Sequence, residues 1–369
     1  MALDPTRPRI LPGAPGSLPH TDASTPQDAG TLLPVAGRGE APSRFVLPVP
    51  RDLPMRPVRV YASLTSAPTM EGRVELAMQE LERQGAFARA NIFVGVPTGG
   101  GHINPVTLEL VERMARGDVA SVGIQYGTAP SILSIGKVDD ARDMVGALLT
   151  RIRDRIDREH PSGGGPRVLL YGESLGGWAS QGALEGAAKQ TAKRSGSRHV
   201  DPLDNLGVDR VAWVGIPGFS RFSTDHLGAG GLQAIASIDE LGSMDPSARR
   251  TARAWDLSHN DDPVHRADLQ LIWKRPRWLP ANGPNPVGVG PEERWKPLLT
   301  FLSTAKMAVA SANKEVIGQF GSHGHDYRAE LPALLREAYD FDDLSDAELA
   351  RMTEQVRQSE VWIMGQEWR

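Results

Sequence analysis

The chain has 369 residues, 40 % of them hydrophobic, a formal net charge of −4 and no cysteine. Such a length and apolar content support one large core or two ordinary ones and exclude a small scaffold held by staples. The lack of cysteine excludes disulfides, thiolate metal sites and cysteine nucleophiles, and the near-balanced charge excludes a global basic field of the kind that gathers nucleic acid.

Residues 1 to about 55 are rich in Pro among Gly, Ser, Thr and Ala, without a sustained apolar period. They read as a disordered or extended arm, either a tether or a solvated tail. The first thirty residues lack the apolar stretch of a secretory signal, and no run approaches the ~18 apolar residues of a transmembrane helix. This predicts a soluble chain, with the cytoplasm as the expected compartment.

From about residue 56 to 340, short β-branched runs alternate with longer helical segments, the pattern of a mostly parallel sheet with helices on both faces. The fold class is α/β. Strands are predicted at 58–63, 91–96, 119–125, 167–171, 210–215, 252–258 and 315–320, and helices at 73–84, 105–115, 137–158, 175–193 and 292–312. Residues 219–250, rich in Gly, Ser and Asp, interrupt the alternation as an insertion able to cover a pocket or as a surface excursion. In the tail from 341, Ser345-Asp346-Ala347-Glu348 matches a capping box opening a helix. The acidic run 340–346 lacks the spacing and central Gly of a calcium loop.

The chemistry concentrates after the fourth predicted strand. Arg167-Val-Leu-Leu-Tyr171 is an apolar strand, Gly172-Glu173-Ser174-Leu175-Gly176 a sharp turn, and a helix follows. In that context the turn exposes a serine hydroxyl at the carboxyl end of the sheet, with glycines where side chains would clash. A serine needs a base and a third group to orient it. In the chain order of such sites, an acid and then a histidine follow the serine. Asp262, beside Pro263, is the acid expected here, with Asp261 the alternative. His325 is slightly preferred over His323 as the base, and the other would line the pocket. A rival reading makes His323, His325 and a nearby Asp zinc ligands. The oxyanion donors expected are the amide of Leu175 and that of Thr98 or Gly99, in the glycine-rich loop after the second strand. That loop lacks both phosphate-cradle signatures. Trp273, Trp278 and Trp295 either pack the core or line an acyl pocket.

Ser66-Ala-Pro-Thr69, Pro97-Thr-Gly99, Gly172-Glu-Ser-Leu-Gly176, Trp213-Val-Gly-Ile-Pro217, Asp262-Pro-Val264, Arg275-Pro-Arg-Trp-Leu279 and His323-Gly-His-Asp-Tyr327 together resemble an α/β-hydrolase family whose members usually carry an N-terminal membrane domain. The resemblance covers about residues 59–327. It implies the α/β-hydrolase fold and supports Ser174, Asp262 and the His323/His325 pair as the reactive groups, but names no substrate. Here the proline-rich arm stands where the membrane domain would be, and His265, Arg266 and Ala267 stand where aromatic residues are expected. The chemistry expected is cleavage of a small-molecule or lipid-like carboxylic ester through an acyl-serine, with no cofactor. Acyl transfer or thioester cleavage through the same intermediate, and a non-catalytic binding module, are the alternatives.

Overall fold

The computed structural model describes residues 49–99, 101–127, 138–197, 199–220, 222, 231–266, 268–276, 278–286, 288–311 and 316–367. Residues 1–48 of the proline-rich arm lie outside them.

In chain order the elements are β1 (Val58–Ala62), α1 (Met70–Arg83), β2 (Asn91–Val96), α2 (Pro105–Met114), β3 (Val119–Ile124), α3 (Val138–Glu159), β4 (Arg167–Glu173), α4 (Leu175–Ser195), α5 (Pro202–Leu206), β5 (Arg210–Val214), β6 (Leu232–Ile235), α6 (Pro246–Thr251), β7 (Ala254–Leu257), α7 (Pro263–Arg266), α8 (Leu299–Ser311), α9 (Leu331–Ala338) and α10 (Asp346–Glu367). The strands form one sheet in the order β1-β3-β2-β4-β5-β7-β6, with every pair parallel.

Alternate residues of each central strand enter opposite cores, which is why these strands read as continuous apolar runs. Ile92, Val94, Val168, Leu170 and Trp213 join the core beneath α1, α3 and α4. Phe93, Leu169, Tyr171, Val214 and Trp255 join the one beneath α2, α9 and α10. A buried bidentate ion pair ties β1 to α2, Arg59 Nε and Nη2 donating to Glu112 at 2.5 and 2.6 Å.

The chain leaves β2 for β3 on one side and β4 for β5 on the other. The direction of the connections therefore reverses at the carboxyl ends of β2 and β4, the place where parallel sheets of this kind bind ligands. Pro97 follows β2 and Ser174 follows β4 at those ends.

Three expectations need revision. Residues 316–320 form a tight turn, Gln319 N–H donating to Val316 O at 3.0 Å with Gly318 at φ 70°, rather than a strand; residue 315 lies outside the described residues. The seventh strand is instead β6, inside the 219–250 segment, which also supplies the 3-10 turn Ile238–Ser243 and α6. The helix expected from 292 starts only at Leu299, because Pro297 and the left-handed Leu298 (φ 61°) stop it from extending backward.

The capping box forms as written: Ser345 N–H donates to Glu348 Oε2 at 2.9 Å and Glu348 N–H to Ser345 Oγ at 3.3 Å. The helix it opens, α10, packs on α2. Its Glu360 accepts from Arg328 Nη1 and from Gly318 N–H, each at 2.6 Å.

Candidate active site

Ser174 sits between β4 and α4 at φ 53° and ψ −125°, a left-handed conformation costing a non-glycine residue on the order of 1–3 kcal/mol. Its N–H donates to Val214 O at 2.9 Å, and its hydroxyl does not cap α4. The first intrahelical bond, Trp178 N–H to Ser174 O at 3.2 Å, leaves the amides before it pointing out of the helix start. Two glycines let the turn close. A Cβ on Gly172 would lie 2.5 Å from Gly177 Cα, and one on Gly176 would lie 2.4 Å from Val96 O.

Asp262 follows β7 at the base of α7 and is fully buried. His325 Nδ1 lies 2.7 Å from its Oδ2, so the imidazole donates from Nδ1 and turns Nε2 away from the carboxylate. The ring packs against Gly215, where an added Cβ would come within 2.8 Å of His325 Cε1. The residue before that glycine, Val214, holds the Ser174 amide. His323 stays exposed on a turn, its carbonyl accepting from Asp326 N–H at 3.2 Å. Asp261 accepts from Gly324 N–H at 3.0 Å.

A second set of buried groups braces this pair. Tyr327 Oη donates to the same Asp262 Oδ2 at 2.6 Å and accepts from His259 N–H at 3.0 Å. The His259 ring stacks on Tyr327 with centroids 4.0 Å apart, contacts Gly324 O through Nδ1 at 2.9 Å and pairs with Glu330 through Nε2. Glu330 Oε1 also accepts from Ile238 N–H at 2.8 Å, joining the sheet edge to the histidine loop.

These contacts set the charges. Burial alone would raise Asp262, but the facing His325 and hydrogen bonds from His325, Tyr327 and Val264 N–H outweigh it and hold the carboxyl below its ordinary value. Burial works to lower His259, yet Glu330 and the Gly324 carbonyl raise it overall. Glu330 is correspondingly lowered against its own burial. Burial, then Asp262, pushes the Tyr327 phenol far up, so it stays a donor.

On the β2 side, Leu175 is buried at the start of α4. The Thr98 amide is engaged with His102 O at 2.8 Å, closing its loop, and Gly99 lies buried beside it. Glu173, next to the serine, accepts from Tyr171 Oη at 2.8 Å and Asn104 Nδ2 at 3.0 Å. On the other side, Phe219 packs edge-on to Trp178 (4.7 Å) and Phe222 to Trp213 (4.8 Å). His265 is bound through Nδ1 to Ile216 O at 2.9 Å, and Arg266 stacks its guanidinium over Trp278 at 4.4 Å. Trp278 and Trp295 pack in a satellite core with Leu271, whereas Trp273 is exposed. Among the described residues no three His, Asp or Glu side chains converge to hold a metal ion.

Sequence reasoning assigned no role to Tyr327, His259, Glu330 or Glu173. Tyr327 closes the quoted His-Gly-His-Asp-Tyr motif, and Glu173 is the charged residue of an otherwise apolar strand end. Nothing in the sequence marks His259 and Glu330 as partners.

The sequence profile of a family described as "Alpha/beta-hydrolase family" matches residues 58–352. Two solved structures of acetylxylan esterase, one an iodinated complex, are 17 % identical to the chain, with TM-scores of 0.30 and 0.31. Each alignment covers 48 % of this chain and 84 % of the other. No curated protein matches.

Proposed function

The chain belongs to the alpha/beta-hydrolase family, and from that premise we propose that it is a serine hydrolase cleaving a carboxylic ester through an acyl-serine. Ser174 Oγ attacks the carbonyl while His325 Nε2 takes its proton, and the imidazolium then protonates the departing alcohol. Asp262, held ionised by its hydrogen bonds, fixes the tautomer and offsets the charge that forms on His325. The Leu175 amide at the start of α4 supplies one oxyanion donor, and the Thr98–Gly99 turn supplies the second. A Thr98 role requires its amide to leave His102 O. Water, activated by His325, releases the acid.

The observation that carries this reading is the His325–Asp262 pair beside Gly215, at the strand end that also holds the strained Ser174. The test is labelling by a fluorophosphonate probe, with the modified peptide read by mass spectrometry, alongside ester turnover. Labelling confined to the Ser174 peptide and lost in Ser174→Ala, together with loss of turnover, is expected. A folded Ser174→Ala that hydrolyses esters at the wild-type rate would refute it.

A further inference from the structure

The first turns of helix α8 set apolar side chains outward. Its Thr300 and Thr304 are buried, and Phe301 packs on the satellite core, while Leu299, Leu302 and Met307 are 62, 53 and 40 % exposed. At 100° per residue, 299, 302, 303, 306 and 307 share one stripe, so the apolar side chains line the outward face. Leu298, directly before the helix, and Trp273, at the end of the 3-10 turn Leu269–Ile272 that packs on α8, are also exposed, at 51 and 65 %. Five of the eight large hydrophobic side chains exposed among the described residues thus fall between 273 and 307. Scattered exposed leucines need no explanation, but a contiguous apolar face marks an interaction site.

The same stretch of chain carries exposed cations. Lys274, Arg275, Arg294, Lys296 and Lys306 are exposed, and none has an ion-pair partner among the described residues. Of the two acids between 273 and 307, Glu292 is exposed and Glu293 faces Arg266 at 3.5 Å; Asp268 caps the 3-10 turn that leads to Trp273. The pieces are held together: Trp295 Nε1 donates to Leu271 O at 2.8 Å, and the Arg275 guanidinium lies 5.9 Å from the Trp295 ring. In a chain of net charge −4 this is a local excess of cations around exposed leucines and a tryptophan.

We infer that this face docks on an anionic lipid bilayer. The exposed Leu, Met and Trp side chains enter the boundary between headgroups and acyl chains, and the lysines and arginines sit at the lipid phosphates. A second copy of the chain fits poorly, because a two-fold contact would set these cations against one another. No described helix is long and apolar enough to cross a membrane, so the association is peripheral. Helix α8 packs on α7, which begins immediately after Asp262, so docking sets the candidate active site close to the lipid surface. The inference stands apart from ester hydrolysis.

The test is co-sedimentation of the full chain with phosphatidylcholine vesicles, with and without phosphatidylglycerol. Binding to the anionic vesicles about tenfold or more tighter than to the neutral ones is expected, weakening with salt. Leu299→Asp with Leu302→Asp should abolish it. Lys296→Gln with Lys306→Gln should weaken it roughly 30-fold. Ser174→Ala should bind as wild type whether or not the chain proves to be a hydrolase. Absent or equal binding to the two vesicles, unchanged binding in a folded double-Asp variant, or a solution dimer that Leu302→Asp dissociates would each overturn the inference.

Discussion

Tyr327 and Asp262 share a hydrogen bond of 2.6 Å in which the phenol donates to Oδ2, the same oxygen that receives His325 Nδ1. The tyrosine therefore fixes the rotation of the carboxylate plane that in turn sets the imidazole. Its hydroxyl also takes the His259 amide, so one atom serves both the carboxylate and the backbone at the end of β7.

Replacing Tyr327 by Phe keeps the ring and removes this atom. The buried His259 N–H loses its acceptor, and a destabilisation of about 1–3 kcal/mol is expected in urea unfolding. Loss of one bond to a charged carboxylate corresponds to a drop in kcat/KM of about tenfold. Unchanged ester turnover in a folded Tyr327→Phe would show that Asp262 needs no such support.

The His259–Glu330 pair gives stability its own pH signature. His259 is raised above its ordinary 6.5, so its contribution is complete below that pH and is lost as pH climbs through the native value. Glu330 is lowered from 4.5, so its contribution is complete above that pH and is lost as pH falls through the native value. The stability difference between wild type and Glu330→Gln should therefore plateau from 4.5 to 6.5 at about 2 kcal/mol. It should shrink on either side, and a series of urea melts across pH measures it. A difference flat to pH 9 would mean that the pair does not titrate as a pair.

Two glycines of α4 should behave oppositely. Gly176→Ala drives a Cβ to 2.4 Å from Val96 O and 2.6 Å from Pro97 O, backbone atoms that cannot swing aside. It should cost about 1–3 kcal/mol and push the serine turn away from the β2 loop, with a loss of turnover. At Gly186 an added Cβ meets nothing within 4 Å, and Gly186→Ala should stabilise the helix by about 1 kcal/mol with turnover intact. Thermal melts and ester assays of the two variants side by side decide this.

Removing one partner of the buried Arg59–Glu112 pair separates folding from chemistry. Glu112→Ala takes both hydrogen bonds of the pair from a guanidinium 5 % exposed and should cost about 2–3 kcal/mol in urea unfolding. Turnover per folded molecule should stay at the wild-type level, because the pair lies between β1 and α2, away from Ser174.

How far the sequence reads follows from where each element lies. Asn91–Val96 has both faces buried and appears as an unbroken apolar run, so its limits can be read directly. Leu232–Ile235 is an edge strand, largely half-buried or exposed and containing Gln233, and it hides among glycines and serines. Val316 to Phe320 has strand-like residues, but Gly318 folds it on itself. The order serine, acid, histidine brings Asp262 and His325 into candidacy, and the fold places those two in contact. Whether His323 or His325 faces the acid depends on ring direction, which spacing does not encode. The bracing pair is hidden for another reason: His259 and Glu330 lie 71 residues apart, and only the packing of β7 against the start of α9 makes them neighbours.

Helix α10 has a bearing on how the chain can be cut. Arg328, three positions past the imidazole, is buried and spends one nitrogen on Glu360 and another on Asp326 at 2.7 Å. Trimming the chain after residue 344 would remove Glu360, leaving a buried cation without that partner and the Gly318 amide without its acceptor. A shortened C-terminus is then an alteration, made from a distance, of the loop that carries the candidate base, and an inactive truncation would say nothing about the serine.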